Sequence, residues 1–407
     1  MIEGIILRLI APSINFFTNL VNLVIKRDKT IVLFGAWMGE KFADNSRYLF
    51  QYLHEHGSDY GIKKVVWVTR NSSVYNMLKD MGYDCYQMHD LKSFYYHFRA
   101  GYHIDCNMNF ATKQYKGDIM GQFSSGAVKY NLWHGIPLKA GGFTNKNHCN
   151  DDLLKKVLYK LRMNKKFMSI FSPGKWNLAK YASVGKVCTE RCKLFHGLSE
   201  ENFIMCGYPR NEFPIKLLKQ EKAVLDTFKL YNKVLIYLPT FRENGIYSHP
   251  LESDKIRNLI LDNNILWLEK AHVAEKNRIK SFKGSNFYYL HNDFDINVLL
   301  PNIDLLITDY SSVCYDAFFL NKPVIFYSPD YQNYIEKERG FICDYKNVVG
   351  DFCAYNHNEL NEYMTNFIEN KNIELFKNNS KKQKATVYDR EYSYELICNK
   401  LFIENNS

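Results

Sequence analysis

Ile303-Asp304-Leu305-Leu306-Ile307-Thr308-Asp309-Tyr310-Ser311-Ser312 opens a stretch that runs on through Asn321-Lys322-Pro323-Val324-Ile325-Phe326-Tyr327 to Asp330. Ile303–Ile307 is apolar and short, the pattern of a buried strand. Thr308, Asp309, Ser311 and Ser312 follow at its carboxyl end. Ser311 or Ser312 then starts a helix, and Asn321-Lys322-Pro323 ends it. Val324–Tyr327 is a second buried strand. Strand, helix and strand in succession argue for a parallel α/β sheet. Ligands of such sheets sit beyond the carboxyl ends of the strands. Amides and hydroxyls at a helix start suit phosphate. The stretch therefore reads as a holder of a diphosphate. The plainer alternative is that Ser311 only caps the helix.

A second stretch repeats the device. Ala127–Leu132 is apolar and delivers Trp133-His134-Gly135-Ile136-Pro137-Leu138-Lys139, with Gly141 and Gly142 behind it. His134 exchanges a proton near neutral pH, and glycine lets backbone approach a ligand closely. A histidine among Gly, Pro and Lys at a strand end points to function. A structural role for a lone loop histidine is the alternative.

Working outward, strand–helix alternation fills the chain. Ile31–Phe34, Val65–Val68, Tyr102–Asp105 and Ala127–Leu132 read as strands of the first half, with helices at Arg47–His56, Val74–Met81 and Leu91–Arg99. Val234–Leu238, Ile265–Leu268, Phe287–Leu290, Ile303–Ile307 and Val324–Tyr327 read as strands of the second half. The break falls near Asn211–Asn232. The expected domains are an apolar helix over 1–28, an acceptor-side α/β domain over 29–215 and a donor nucleotide-binding α/β domain over 216–387. A last helix over 388–407 is expected to cross back. At 407 residues the chain suits two domains facing a cleft.

Composition narrows the partners. The net charge is +10, from 53 basic and 43 acidic residues, which favours an anionic partner. With no zinc finger or basic heptad zipper, nucleic acid is the weaker choice. Oligomeric state is not readable. Ten cysteines lie mostly singly in apolar surroundings, as reduced core thiols do. Cys188, Cys192 and His196 share a helical spacing, but no second cluster completes a metal site. Asp293-Phe294-Asp295 resembles a metal-binding pair. It precedes the apolar run Ile296–Leu300, so Asp295 reads as a helix N-cap and no catalytic metal is expected.

Two segments suit a membrane surface. The N-terminus is strongly apolar over residues 5–25, yet Arg8, Pro12, Asn15, Asn19 and Asn22 interrupt it and Glu3 precedes it. That argues against a clean transmembrane span and for a helix lying in the interface, or one capping the first domain. Residues 151–167 put Leu153, Leu154, Val157, Leu158 and Leu161 on one stripe. Lys155, Lys156, Lys160, Arg162 and Lys165 crowd the rest, a basic amphipathic helix fit for an anionic bilayer.

Together the two strand-end stretches resemble the CDP-glycerol glycerophosphotransferases, which build teichoic acids and related capsule polymers. Further motifs match in order: Asp44-Asn45-Ser46-Arg47-Tyr48-Leu49, Gly207-Tyr208-Pro209-Arg210-Asn211, Leu238-Pro239-Thr240-Phe241-Arg242, Lys270-Ala271-His272 and Arg339-Gly340-Phe341. The resemblance covers roughly residues 30–350. Ile136 stands where the family commonly has Thr, Glu212 where it has Asp, and Val273 where it has Pro. The resemblance implies a glycosyltransferase-B architecture of two Rossmann-like domains. The implied reaction moves glycerol phosphate from CDP-glycerol to a hydroxyl of a lipid-linked saccharide, releasing CMP. It requires no cofactor and is placed at the cytoplasmic face of the plasma membrane.

In that reaction His134 is the expected base and His272 the second catalytic histidine. Arg242, Thr308, Asp309, Ser311, Ser312 and Asp316 are expected to hold the donor, with Asp316 on the ribose hydroxyls. Asn45, Arg47, Gly135 and Lys139 form the acceptor side. The modest length of the chain favours a primase-like enzyme. A CDP-ribitol transferase or polymerase of the same family, a sugar-nucleotide glycosyltransferase of the same fold and a non-catalytic membrane scaffold remain open beside it.

Overall fold

In the computed structural model, residues 2–88, 90–107, 123–144, 170–171, 178–212, 215–240, 242, 248–270, 282, 284–338, 340–371 and 373–404 are described. His272 and the basic stretch 151–167, with Lys155, Lys156, Lys160, Arg162 and Lys165, lie outside them.

The chain builds two parallel sheets. The first contains β1 Asp28–Phe34, β2 Lys64–Thr69, β3 Cys85–Gln87, β4 Ala100–Asp105, β5 Val128–Asn131, β6 Lys180–Ser183 and β7 Phe203–Met205, in the order β3-β2-β1-β4-β5-β6-β7. The second contains β8 Lys233–Leu238, β9 Ile265–Glu269, β10 Phe287–Tyr289, β11 Leu305–Thr308, β12 Val324–Tyr327 and β13 Cys353–Ala354, in the order β10-β9-β8-β11-β12-β13. In each sheet the order reverses next to the first strand, β1 against β4 and β8 against β11. Ligands gather at such reversals.

Both faces of each sheet are covered, which is why its strands read as continuous apolar runs. Val32 and Phe34 enter the large core, whereas Ile31 and Leu33 point to a smaller cluster on the opposite face. Leu235 and Tyr237 likewise point away from Val234 and Ile236. The large core joins residues of both sheets, so the two units pack against each other.

The C-terminal segment lies on the first sheet. Tyr394 stacks on Tyr52 at 4.4 Å between ring centroids, Phe402 meets Tyr102 edge-on, and the Tyr130 hydroxyl donates to the Leu401 carbonyl. Gly207 carries a φ of 87°, and a Cβ there would stand 2.4 Å from the Tyr392 ring. Only glycine passes at that point.

The N-terminal helix Ile2–Val24 seats itself against the first domain in an unusual way. Ala11, Asn15 and Thr18 are buried beneath it, and Asn22 donates to the Ser125 carbonyl. The opposite face shows Leu9, Ile10, Phe16, Phe17, Leu20, Leu23 and Val24, with Leu23 76% and Val24 86% exposed. A helix in water normally does the reverse. Among the described residues, no helix is long and apolar enough to cross a membrane.

Candidate active site

The carboxyl ends of the two sheets meet, and the loops that leave them form the site. From the first sheet, β5 ends at Asn131, whose side-chain oxygen accepts the Trp133 amide at 3.0 Å. Trp133 takes a φ of 54°, a left-handed conformation that a bulky side chain rarely adopts. The Asn45 amide holds it there, donating to the carbonyls of Trp133 at 2.7 Å and Leu132 at 3.2 Å. This strained turn presents His134.

His134 is half-buried, its ring 4.1 Å from that of Trp133 and 5.2 Å from that of Trp37. Its Nδ1 lies 3.3 Å from the Cys106 carbonyl, which only accepts. The proton therefore resides on Nδ1, and Nε2 keeps its lone pair. Burial holds the His134 pKa below the ordinary 6.5, and Arg210 and Lys139 push it the same way against Asp44. At neutral pH the ring is an unprotonated base. His196, behind Trp133, is driven by burial down to about 3.

Gly135 brings the second sheet into contact. At its φ of 152°, a Cβ would stand 2.6 Å from Ser312 Oγ and 3.7 Å from an Arg210 nitrogen. Ser311 and Ser312 leave β11 and lead into the helix Val313–Phe319, and the Ser311 hydroxyl accepts from the Val313 amide at 3.5 Å. The loop beyond His134 continues along the second unit. Leu138 and Ala140 exchange backbone hydrogen bonds with Ile342 and Gly340, and Lys139 reaches Thr240 Oγ1 at 3.5 Å.

Arg210 ties the arrangement together. Its guanidinium donates to both oxygens of Asp316, at 2.8 Å each, and to Asp44 at 2.5 Å. Asp44 starts a helix of the first domain, and Asp316 lies in the second unit. Asn45 Oδ1 accepts the Arg210 amide, so one asparagine links the His134 turn to this pair. Burial raises Asp316 to about 6 despite the guanidinium. Asp316 is therefore engaged by Arg210 and does not stand open for a ribose, as the sequence had suggested.

Several residues expected to contact ligand have partners within the scaffold. Arg47 is fully buried and clasps Glu221 at 2.5 and 2.8 Å, so it does not face the cleft. Arg242 pairs with Asp309 at 2.7 Å and Asp330 at 2.7 Å and lies over the Tyr310 ring. These carboxylates raise its pKa against the opposing effect of burial. Asp309 accepts the amides of Thr240 and Tyr310, and Thr308 Oγ1 donates to the Leu238 carbonyl. Arg242, Thr308 and Asp309 are thus engaged within the protein. Asp295 does cap the short turn Ile296–Val298, and its other oxygen accepts the Asp44 amide. Among the described residues, no group of three or more His, Cys, Asp or Glu is placed to hold a metal.

Sequence reasoning missed Asp44, Trp37, Lys41, Lys270 and the role of Arg210. Asp44, Arg210 and Lys270 stood inside motifs already singled out, and their charge among apolar and Gly-Pro neighbours was the signal available.

The arrangement offers a neutral base in one wall, serine hydroxyls opposite, and buried cations between, the kit for moving a phosphoryl group. The chain is 26% identical over 341 residues to a teichoic acid poly(glycerol phosphate) polymerase of Bacillus spizizenii, covering 79% of this chain and 80% of that one. It is 24% identical over 434 residues to a teichoic acid glycerol-phosphate transferase of Staphylococcus aureus, covering 99% and 100%. The solved wall teichoic acid polymerase TagF has the same fold, with a TM-score of 0.67, 18% identity and 94% of each chain covered. The sequence profile of the CDP-glycerol:poly(glycerophosphate) glycerophosphotransferases matches residues 16–403, and the chain belongs to that family.

Proposed function

We propose that the protein transfers glycerol phosphate from CDP-glycerol to a hydroxyl of a membrane lipid-linked saccharide, releasing CMP, in the synthesis of a teichoic acid or related polymer. The observation that carries this reading is the juxtaposition of His134 and Ser312 across Gly135, within a chain of this family. His134 Nε2 takes the acceptor proton as the acceptor oxygen attacks the phosphorus bearing glycerol. A new O–P bond forms, the bond to CMP breaks, and CMP leaves with the electron pair. Ser311 and Ser312 hydrogen-bond the donor phosphates. His272 supplies a further hydrogen bond or proton. The reading uses side-chain cations and hydrogen bonds for the phosphate charge and calls on no metal or cofactor.

The N-terminal helix supports a place on the membrane surface. Its outward Leu, Ile, Phe and Val side chains each gain about 1.5–3 kcal/mol when fully buried, and a lipid interface offers that burial. Lys155, Lys156, Lys160, Arg162 and Lys165 add charge for an anionic leaflet. The acceptor is confined to that leaflet, so the enzyme works as a peripheral protein on the cytoplasmic side, where nucleotide donors are made.

Incubating the purified protein with CDP-glycerol, CDP-ribitol and UDP-sugars, with lipid-linked saccharide acceptors in anionic vesicles, tests the reading. CMP release with CDP-glycerol and a product heavier by one glycerol phosphate are expected. Turnover with CDP-ribitol alone would change the donor, and turnover with a UDP-sugar alone would reject the reaction.

A further inference from the structure

Two strained turns flank His134, and they are held in different ways. Trp37 follows β1 with a φ of 49° and Met38 with a φ of 57°. Asn107, just beyond β4 of the same sheet, accepts the Trp37 amide at 3.0 Å and donates to the Met38 sulfur at 2.9 Å. That clamp lies wholly within the first domain. The clamp on Trp133 has two parts: Asn131 takes its N–H and Asn45 its carbonyl. This carbonyl belongs to the peptide bond that leads into His134. Asn45 therefore sets the plane from which the imidazole projects.

Asn45 is fully buried, and both ends of its amide are used. Nδ2 gives its protons to the Leu132 and Trp133 carbonyls, and Oδ1 accepts the Arg210 amide at 3.0 Å. A carbonyl only accepts and an N–H only donates, so this amide has one orientation. Arg210 is itself held from both units, by Asp44 on one side and by a clasp of Nε and Nη2 on Asp316 on the other. Its guanidinium also stands against the turn, 3.7 Å from where a Cβ on Gly135 would lie. Asp316 sits on the helix Val313–Phe319, which Ser311 and Ser312 lead into. Buried hydrogen bonds thus run without a gap from the helix behind the serines, through Asp316, Arg210 and Asn45, to the turn that carries His134. Buried polar bonds are costly to leave unmade, so a shift at one end is carried to the other.

We propose that Asn45 is a positioning residue for the transfer, and that through Arg210 it makes the placement of His134 depend on Asp316 in the second unit. The base is then set only while the serine wall is seated against it, which ties proton transfer to a closed cleft. The Trp37 turn, clamped from its own domain, does not share this dependence. The inference rests on the transferase reading for what His134 does, whereas the dependence of the turn on Asp316 is measured without turnover.

Hydrogen exchange read by mass spectrometry tests the link. Asp316→Asn removes the charge beneath the Arg210 clasp. The segment holding the Leu132 and Trp133 amides should then exchange faster, while the segment holding the Trp37 amide keeps its wild-type rate. Asn45→Ala should speed the Leu132–Trp133 segment as well. In CMP release from CDP-glycerol, Asn45→Ala should lower kcat roughly 10²-fold, the cost of a displaced catalytic group, with acceptor KM and CDP-glycerol affinity near the wild-type values. Asp316→Asn should lower kcat by less. The double variant should be little slower than Asn45→Ala alone, whereas independent effects would multiply. Unchanged exchange at Leu132–Trp133 in Asp316→Asn, equal acceleration at both turns, or multiplied effects on kcat would overturn the proposal. So would an acceptor KM that rises while kcat holds, which would make Asn45 a binding group. If Asn45→Ala does not fold, the exchange pattern of Asp316→Asn decides alone. If the wild type released no CMP from CDP-glycerol, the transferase reading would fall, and the exchange pattern would still decide the link.

Discussion

The two walls of the cleft are built from the same device, a buried parallel strand that ends in polar residues, yet they use it differently. In the second wall nearly every such residue is spent inside the protein: Thr308 on a carbonyl, Asp309 on two amides, and Arg242 on Asp309 and Asp330. In the first wall the groups stay accessible. His134 keeps one nitrogen unengaged by its carbonyl partner, and Trp37 and Lys41 stand half-buried beside it. A polar residue at a strand end is thus not a site residue until its partners are known. The second wall is a closed ion-pair network, and the strained turns at Trp37 and Trp133 present His134 towards it.

Breaking the first wall should have the largest effect on chemistry. His134→Ala is expected to lower turnover by roughly 10²–10⁴-fold, the usual cost of a lost general base. Cytidine nucleotide binding should survive, since the proposed donor contacts, Ser311 and Ser312, lie on the other wall. In the wild type the acid limb of kcat/KM should fall below pH 6.5, because burial favours the neutral ring and activity is lost only once the ring protonates. CMP release across a pH series measures both. Near-normal turnover in the variant would erase the contrast between the walls.

Breaking the second wall should cost stability first. Arg242→Met leaves Asp309 and Asp330 without their cation, and Asp309 is fully buried. Removing one partner of a buried pair typically costs about 3–5 kcal/mol, to be read by denaturant unfolding. A stable variant with weakened donor affinity would instead return Arg242 to the binding site.

How much of this was legible in the sequence differs between fold and site. Long apolar runs such as Val234–Leu238 and Val324–Tyr327 announce their strands. The short strands Cys85–Gln87, Lys180–Ser183, Phe203–Met205 and Cys353–Ala354 carry too few residues for a periodicity to register. At the site, residue type was readable and partnership was not. Arg47 finds Glu221 174 positions away, and Arg210 finds Asp316 106 positions away. Nothing local marks either pair. The N-terminal helix shows the same limit. Its asparagines look like flaws in an apolar run, yet Asn15 and Asn22 lie on the face that seats it.

The link between the walls, Arg210 with Asp316, should show itself through pH. Asp316 titrates near 6 in the folded protein, above the ordinary 3.8, because burial outweighs the guanidinium. A carboxyl whose pKa is raised by folding adds stability below its unfolded pKa and loses it as pH climbs through the folded one. Between about pH 4 and 6 the wild type should therefore lose stability, on the order of 1–3 kcal/mol, relative to Asp316→Asn, which does not titrate. Unfolding curves for the two proteins at several pH values sharpen the comparison. Parallel pH profiles would mean that Arg210 fully offsets the burial.

The smallest effect is expected where the second wall is still open. Ser312 lies directly opposite Gly135 of the first wall, Ser311 precedes it, and the helix they lead into is short. If the wall as a whole were scaffold, Ser311→Ala with Ser312→Ala would cost only a weak cap, since Ser312 makes no side-chain capping bond and Ser311 reaches the Val313 amide at 3.5 Å. If this corner is the donor contact, the double variant gives up neutral hydrogen bonds to phosphate, each worth about 0.5–1.5 kcal/mol. CDP-glycerol affinity should then fall by up to roughly ten-fold, while acceptor KM and the unfolding midpoint stay near the wild-type values. Calorimetry and denaturation together separate the cases. Unchanged donor affinity would extend the scaffold across the entire second wall and leave donor recognition to groups of the first.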